Sequence, residues 1–475
     1  MPNAPLTVTP VLQTASGQTV KLAPVTIPAN EVRSVDINAA VADPANGISA
    51  PFYGSIDIQY NAKFHGNLFA AEMLGIMGQP VMFHLDPTGL DPDYTSGSID
   101  GFWWNRHTGV QDVLVLSNNA STADTAHLVL SDAVGHQWAS DYTIAPHSIV
   151  RLNTLELTSA AKFTSDFGSI HIVAGHPGSF DVVYFMYDAS KGFSALMKMF
   201  YYDAHTTKAE HAWIRDEGWM LWAPMLALQT PDPALLFPAS VRLQPIIFLE
   251  NLASKPGNLQ MRVYWRSASG SGKTNSQTVT LKAGEVQKID VASQFKDLPS
   301  NANWATVSIL SNTDPDQIVA MAASYDATGR YGAQTPFSDQ LSAHWEGGKW
   351  QVDDTHDSLI TVGNGGRRDT RFQMTFHYVT DKGPGDYVIE QKLAKDEQSF
   401  VDLGKLIRNQ TPDVHGNVFP STITSGSYGL RDLNDRIGNI FEGKVITDKT
   451  YGDASYGCQA CCGVSGGTIS GSGSD

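Results

Sequence analysis

One sequence pattern recurs four times along this chain and limits what the chain can fold into. Each copy alternates apolar and polar residues and ends near an acidic or amide side chain. The copies are PANEVRSVDI (28–37), APHSIVRLNT (145–154), KAGEVQKIDV (282–291) and AKDEQSFVDL (394–403). When Asp36, Asn153, Asp290 and Asp402 are aligned, successive copies lie 117, 137 and 112 residues apart. Those spacings are typical of β-sandwich domains.

Two further signals keep the same relative order around each copy. A second strand-like segment follows every copy: FYGSIDI from residue 52, DFGSIHI from 166, NWATVSI from 303 and GSYGL from 426. Three copies are preceded by an apolar strand that ends at an asparagine: Asn118, Asn251 and Asn364. The first copy lacks this upstream strand. We therefore expect either that the chain begins inside a module or that another segment or subunit supplies the missing edge.

Short alternating segments dominate the rest of the sequence. Examples are Val113–Leu116, Gln260–Trp265 and Arg371–Tyr378. Alternation between frequent turns is the pattern of antiparallel strands that each bury one face. Helix signals are few. The best is a short one around Thr158–Thr164, and the loops near Val291 and Leu403 have room for a turn of helix.

The sequence therefore predicts an all-β chain of four tandem antiparallel β-sandwich modules with an Ig-like organisation. A chain of 475 residues is long enough for three or four domains. The predicted modules are residues 1–101, with its opening strand missing, 102–212, 213–344 and 345–457, followed by a Cys- and Gly/Ser-rich tail at 458–475.

The charge of the chain excludes some classes of partner. A formal net charge of −16 disfavours binding to nucleic-acid backbone or to an anionic membrane surface, because both need clustered Lys and Arg. No apolar stretch approaches the roughly 18 to 20 residues that span a bilayer. The first residues, MPNAP, lack the charged-then-apolar pattern of a signal peptide, so an exported form would have lost its signal.

Aromatic residues give the first candidate binding site. Seven of the ten tryptophans lie near the predicted module edges at residues 102, 213 and 345. In one interpretation Trp103, Trp104 and Tyr201 form an aromatic platform that stacks on sugars. In the other, the tryptophans fill the wedges between successive modules, where a large ring buries much area and still reaches a polar partner.

An acidic cluster and a glycine-rich turn resemble ligand sites. Asp353, Asp354 and Asp357 could offer oxygen ligands to calcium, but they lack the glycine spacing of a calcium loop, and solvated turns are the alternative. The run Gly270–Thr274 resembles the end of a phosphate-binding loop. That motif needs a glycine where this chain has Ser267 and a helix where QTVTL follows, so a hairpin tip fits better. The sequence predicts no cofactor.

All three cysteines lie in the tail, as Cys458, Cys461 and Cys462. A local disulfide would leave one thiol free, and an odd cysteine in an exported chain favours covalent attachment to another molecule. A metal site would need a fourth ligand from outside the group. The tail residues therefore have three open interpretations: disulfide or attachment, metal binding, and no role.

The repeat style resembles bacterial extracellular Ig-like or fibronectin-like sandwich arrays, which act as stalks, adhesins or surface-layer units. That resemblance implies a secreted, non-catalytic structural or adhesive protein of the cell surface. Its partners would be other subunits or surface components, and it would form homo-oligomers by strand exchange at module 1. The alternatives are a carbohydrate-binding accessory protein that recognises polysaccharide, and an all-β hydrolase whose site is assembled from distant residues.

Overall fold

A computed structural model of the chain consists mainly of antiparallel β-sheets with a few short helices. The predicted all-β class is confirmed at this level. The structure describes residues 5–48, 54–60, 72–75, 82–85, 96–203, 219–338, 341–448, 453–455 and 462–463, except 16, 29–32, 107–108, 198, 231, 233–239, 315–316, 327–328, 342, 367 and 435–438. Within those residues, no helix is long and apolar enough to cross a membrane.

Three stretches of the chain repeat one set of strands, and we name them units 2, 3 and 4. Unit 2 contains β7 (Ser96–Trp104), β8 (Gln111–Asn118), β9 (Asp124–Asp132), β10 (Gln137–Ile144), β11 (Ile149–Asn153), β12 (Phe167–Ala174), β13 (Phe180–Asp188), β14 (Phe193–Met197) and β15 (Phe200–Asp203). Unit 3 contains β16 (Trp219–Ala227), β17 (Leu243–Asn251), β18 (Gly257–Ser267), β19 (Gly270–Lys273), β20 (Gln277–Leu281), β21 (Val286–Asp290), β22 (Trp304–Ser311), β23 (Ile318–Asp326) and β24 (Gly332–Pro336).

Unit 4 contains β25 (His344–Gln351), β26 (His356–Asn364), β27 (Thr370–Thr380), β28 (Gly383–Leu393), β29 (Gln398–Asp402), β30 (Ser425–Asp432), β31 (Ile440–Asp448), β32 (Asp453–Ser455) and β33 (Cys462–Gly463). Unit 1 contains β1 (Leu6–Thr14), β2 (Thr19–Lys21), β3 (Val25–Ile27) and β4 (Gly54–Tyr60), and a separate hairpin is formed by β5 (Glu72–Gly75) and β6 (Met82–Leu85). In unit 1, β1 pairs with β4 along seven residue pairs. The predicted edges at 102 and 345 fall inside β7 and β25.

Units 2, 3 and 4 share one strand order. With β19 and β20 of unit 3 counted together as its fourth strand, because both pair with β18, the strands of the three units correspond one to one. In each unit a front sheet joins the first, sixth, third and fourth strands, and a back sheet joins the fifth, second, seventh and eighth. Apolar side chains from both sheets meet in a core between them. In an Ig domain the second strand pairs with the first and fifth, and the sixth pairs with the third and seventh. Here the first and seventh strands have exchanged sheets, so the Ig-like part of the prediction is not confirmed.

A buried asparagine clamps each repeat at the end of its second strand. The Asn251 Nδ2 donates to the carbonyls of Lys255, Leu281 and Lys282 at 2.9, 3.3 and 3.1 Å, and its Oδ1 accepts from the backbone N–H of Ala253. Asn118 and Asn364 make the same four contacts in units 2 and 4. These are the asparagines that end the three apolar strands found in the sequence.

The four aligned positions of the sequence repeat also have a common structural role. Each is the N-cap of a short helix: α1 (Ile37–Ala42), α2 (Thr154–Ala160), α3 (Val291–Gln294) and α4 (Leu403–Arg408). Asp290, for example, accepts from the backbone N–H of Ser293 at 2.7 Å. An Asp or Asn side chain satisfies N–H groups that a helix start leaves without a partner, so the start of each of these four helices is fixed in the same way.

The back sheets of units 3 and 4 are joined. They meet edge to edge where β24 pairs with β32 in parallel, and together they form an eight-stranded sheet. A core cluster also extends across the two units and includes Met225 and Trp304 from unit 3 with Leu359 and Val445 from unit 4. The units are therefore fused through shared structure and not only joined by linkers.

Candidate functional site

The two tryptophans of the predicted aromatic platform are packed inside the protein. Trp103 is fully buried, donates from its Nε1 to the carbonyl of Ser131 at 3.0 Å and stacks on Phe163 with ring centres 5.8 Å apart. Trp104 is 7% exposed and faces unit 3. A ring must be exposed to stack on a sugar, so the platform interpretation of these two residues is wrong. Tyr201 pairs with Ile99 between β15 and β7, and its side chain lies outside the described residues.

The predicted calcium ligands do not converge. Asp353 accepts from the backbone N–H groups of Thr355 and His356 and from the Nε2 of Gln351, so both of its oxygens serve the turn. Asp354 is exposed. Asp357 points into the unit 4 core instead. Its carboxylate accepts from Arg408 at 2.9 Å and from the N–H of Gly404 at 3.1 Å.

Within the residues that the structure describes, no group of three or more acidic, histidine or cysteine side chains has the arrangement of a metal site. Burial raises the pKa of Asp357 to about 6, and the nearby Arg408 opposes that shift. The nearest imidazole to Asp353 is His356, whose other nitrogen lies 3.2 Å from Asp448. The interaction of the His356 imidazole with the Asp448 carboxylate is the main cause that raises the pKa of His356. This group joins the turn at 353–356 to the end of β31.

We expect millimolar calcium to leave the melting temperature of the protein unchanged. Binding to the folded state alone would raise it, but the oxygens of Asp353 and Asp357 already accept hydrogen bonds from the protein. Differential scanning calorimetry with added calcium and with a chelator measures this, and magnesium serves as the control for ionic strength. A rise in melting temperature that Asp353→Asn abolishes would contradict the expectation.

The tail cysteines are described only in part. Cys462 lies in β33, where its backbone pairs with Glu346 of β25. This adds a ninth strand beside the first strand of unit 4, as β15 does in unit 2. Cys458 and Cys461 lie outside the described residues. The Gly270–Thr274 run forms a hairpin between β18 and β19, with Ser267 opposite Gly270.

A groove of about 390 Å³ lies on the front sheet of unit 3. Its lining carries amides and hydroxyls but no acid or base: Asn258, Gln260, Thr278, Leu310, Ser311 and Asn312. Asn258 and Asn312 already bond to each other, since the N–H of Asn258 donates to the Oδ1 of Asn312 at 3.0 Å. The groove offers neutral hydrogen-bonding groups and no means of proton transfer.

An apolar core cluster extends across the seam between units 2 and 3, where the front sheet of unit 2 packs on the back sheet of unit 3. Phe248 of β17 lies at its centre. Phe102 stacks on Phe248 with ring centres 5.4 Å apart, while Trp104 and Phe167 contact the same ring at 5.7 and 6.1 Å. This seam therefore has the composition of a domain core.

A buried arginine crosses the same seam. The Arg106 side chain of unit 2 is 6% exposed, donates to the carbonyl of Asp326 in unit 3 and has its Nη2 3.7 Å from the Asp326 carboxylate. Its guanidinium lies 4.9 Å from the ring centre of Phe193 and 4.8 Å from that of Tyr325. A second cation, Lys288, pairs with Asp166 at 2.6 Å across the seam. Both cations join unit 2 to unit 3.

The seam between units 3 and 4 uses equivalent positions. Trp104 and Ala227 each lie opposite the first residue of a sixth strand, so Phe102 corresponds to Met225. Phe248 and Thr361 each precede a clamp asparagine by three residues. The contact is kept, because the Thr361 Oγ1 lies 3.5 Å from the sulfur of Met225. The two seams are therefore the same face-to-face arrangement repeated along the chain.

The contacts of Trp104 with unit 3 and of Trp222 with unit 4 agree with the interpretation that tryptophans fill the wedges between modules. Sequence reasoning missed the other residues of the seams, although a signal for them exists. The segments at 246–249 (IIFL) and 318–323 (IVAMAA) are apolar without alternation, which is the pattern of strands buried on both faces. All ten of those residues are buried. Such runs predict a sheet that is covered on both sides.

No family model and no curated protein matches this chain. A search of solved structures finds a crystal structure of a tetra-tandem repeat in the extending region of a large adhesion protein. It is 12% identical to this chain, and the match covers 96% of this chain and 92% of that one with a TM-score of 0.09. A TM-score this low carries no argument about fold or function.

Proposed function

We propose that this protein is a non-catalytic structural or adhesive protein whose four β-sandwich modules act together as one rigid element. The observation that carries the proposal is the repeated seam. Buried aromatic and cationic side chains, such as Phe248 and Arg106, join neighbouring units instead of lining a cavity. Fused units resist bending between modules, which is the property that a stalk, spacer or surface-layer element needs.

The front face of unit 4 is polar, and this supports the proposal that face-to-face packing of units does not continue from that face. In unit 4, Gln351 stands at the position of Trp104 and Ala227. Lys349 stands at the position of Phe102 and Met225. Beside them on the same sheet, Glu390 pairs with Arg371 at 3.5 Å. A polar outer face on a terminal repeat keeps a repeat protein soluble and stops further stacking.

The proposal includes the predicted modules at 1–101, 102–212, 213–344 and 345–457, and a location outside a bacterial cell or on its surface. Its partners would be other copies of the chain, surface components or polysaccharide. These assignments follow from the tandem-repeat construction and from the resemblance to extracellular sandwich arrays. They define where binding experiments should begin.

Self-association through unit 1 is the specific form of assembly that we propose. The sixth strands β12, β22 and β30 each pair with neighbours on both edges. Among the described residues, β4 is paired on one edge, with β1. A strand from a second copy could extend that sheet by backbone hydrogen bonds.

Electron microscopy and mass-resolved sizing of the purified protein test the proposal. We expect filaments or defined oligomers that persist in reducing agent and in the variant with Cys458, Cys461 and Cys462 all replaced by serine. Assembly lost in that variant would assign it to the cysteines. A rigid elongated monomer would contradict self-association and leave the adhesive role, whereas independently moving modules would contradict the rigid element itself.

A further inference from the structure

The seam between units 2 and 3 contains a group of ionisable side chains that the packing role does not require. Asp100 of β7 is fully buried, and its two oxygens lie 2.6 Å from the His171 Nδ1 and from the Ser98 Oγ. His171 lies directly opposite Asp100 on β12. From unit 3, Glu250 of β17 is 5% exposed and interacts with the Ser169 hydroxyl, with Asp100 and with His171. It lies two residues from Phe248, which stacks on Phe102, two residues from Asp100.

Few hydrogen-bond donors among the described residues reach the Glu250 carboxylate. Its Oε2 is buried and accepts no hydrogen bond from the described residues. The Ser169 hydroxyl stabilises the charged form, whereas the carboxylate of Asp100 disfavours it. An isolated buried carboxylate without partners costs several kcal/mol, so the group is neutral over a wide range of pH. Two carboxyl groups and one imidazole thus share a seam between two units.

The equivalent seam between units 3 and 4 lacks this group. The clamp asparagines align Glu250 with Gly363, and the sixth strands align His171 with Ser308. Gly363 approaches Phe441 so closely that a Cβ there would lie 1.9 Å from the ring. Of these two seams, the one between units 2 and 3 has the ionisable group. The seam between units 3 and 4 therefore serves as a comparison within the same chain.

The surroundings of Glu250 act on its pKa in both directions, and burial is the largest influence, while the Ser169 hydroxyl and the charge of His171 oppose it. Burial is the main cause that raises the pKa of Glu250 to about 8, and Asp100 adds to it. The hydrogen bond that His171 makes to the Asp100 carboxylate is the main cause that raises the pKa of His171. Lys288 of unit 3 lies over Phe167 at 4.7 Å and pairs with Asp166.

We infer that the seam between units 2 and 3 is a proton-linked joint, closed while Glu250 is neutral and His171 is charged, and loosened when pH rises. In the closed state the imidazolium balances Asp100 beside a neutral carboxyl group. At alkaline pH, Glu250 loses its proton and His171 its charge. Two carboxylates then share a buried seam, and like charges at close range repel each other.

The sign follows from proton binding in the folded and unfolded states. Glu250 is protonated in the folded chain above the pH at which it ionises in the unfolded chain, so folded protein binds more protons there. Stability from Glu250 is then lost as pH rises from its ordinary pKa, roughly 4.3, towards about 8. Stability from a charged His171 is lost as pH rises through its raised pKa. Both effects loosen the seam in the alkaline direction.

Glu250→Gln tests this joint, because the amide keeps the shape of the carboxylic acid but cannot ionise. We expect the unfolding equilibrium constant of the wild type to rise, relative to the variant, by up to about tenfold per pH unit between pH roughly 6 and 8. Urea unfolding at a series of pH values measures the ratio. Glu390→Gln, at a surface carboxylate paired with Arg371, is the matched control and should leave the wild-type slope intact.

A double-mutant cycle with His171→Asn places the effect at the seam. We expect coupling between positions 171 and 250 that differs between acidic and alkaline pH, since the two side chains come from different units. Equal pH slopes for the wild type and Glu250→Gln would overturn the inference. So would a cycle without pH-dependent coupling, because the titrating group would then lie elsewhere.

Discussion

Replacing Asn251 with alanine should lower the free energy of unfolding by about 3 to 5 kcal/mol. The side chain is fully buried and serves three carbonyls and one N–H at the end of β17. Without it, each of those groups loses one hydrogen bond, although the Lys282 carbonyl still accepts from the N–H of Glu285. A buried polar group that is left without a hydrogen bond costs about 1–3 kcal/mol. Water can reach part of the loop, so the sum stays below the maximum.

Asn251→Asp separates hydrogen bonding from side-chain volume. The carboxylate keeps the acceptor for the N–H of Ala253 but removes the donor and directs negative charge at the carbonyls of Leu281 and Lys282. We expect it to destabilise the protein at least as much as alanine does. If volume were the cause, the aspartate variant would instead behave like the wild type.

Hydrogen exchange read by mass spectrometry, on peptides that span 251–255 and 281–285, measures the change where it arises. Asn275→Ala is the control, because that side chain is exposed, and we expect it to change stability by no more than about 0.5 kcal/mol. A loss below about 1 kcal/mol for Asn251→Ala would mean that the clamp is dispensable. The same experiment at Asn118 and Asn364 tests whether all three clamps are equivalent.

Much of the repeat could be predicted from sequence because its markers have local causes. Asp290 and Asp402 end a fifth strand and cap a helix, and each role depends on neighbouring backbone groups. The short helix expected at Thr158–Thr164 runs instead from Thr154 to Ala160. It begins earlier because the Asn153 side chain accepts from the N–H groups of Leu155 and Glu156.

What could not be predicted depends on contacts between distant parts of the chain. Alternation identifies one buried face of a strand, but it does not say what covers the other. The sequence left both an exposed platform and a buried wedge open for Trp104, and its contacts with Phe248 and Tyr325, more than 140 residues away, decide for burial. The strand order that separates these units from an Ig domain is non-local in the same way.

Replacing Arg106 with alanine should weaken the joint between units 2 and 3 by up to about 3 kcal/mol, because removing one partner of a buried ion pair is destabilising. The Asp326 carboxylate keeps the N–H groups of Arg330 and Tyr331 as partners, which limits the loss. Asp326 is 1% exposed, and the aromatic rings around the guanidinium would face a gap. Arg106→Lys should recover only part of the loss, since an ammonium cannot lie flat against Phe193 and Tyr325 together.

The control is Arg371→Ala, at a side chain that is 49% exposed and 3.5 Å from Glu390, where an ion pair contributes about 0–1 kcal/mol. Differential scanning calorimetry measures the effect as a change in the cooperativity of unfolding. We expect units 2 and 3 of the wild type to unfold in a single transition. Arg106→Ala should divide that transition into two, while Arg371→Ala should leave it single. An undivided transition in Arg106→Ala would mean that apolar packing around Phe248 alone couples the units, because the aromatic contacts would then suffice without the cation.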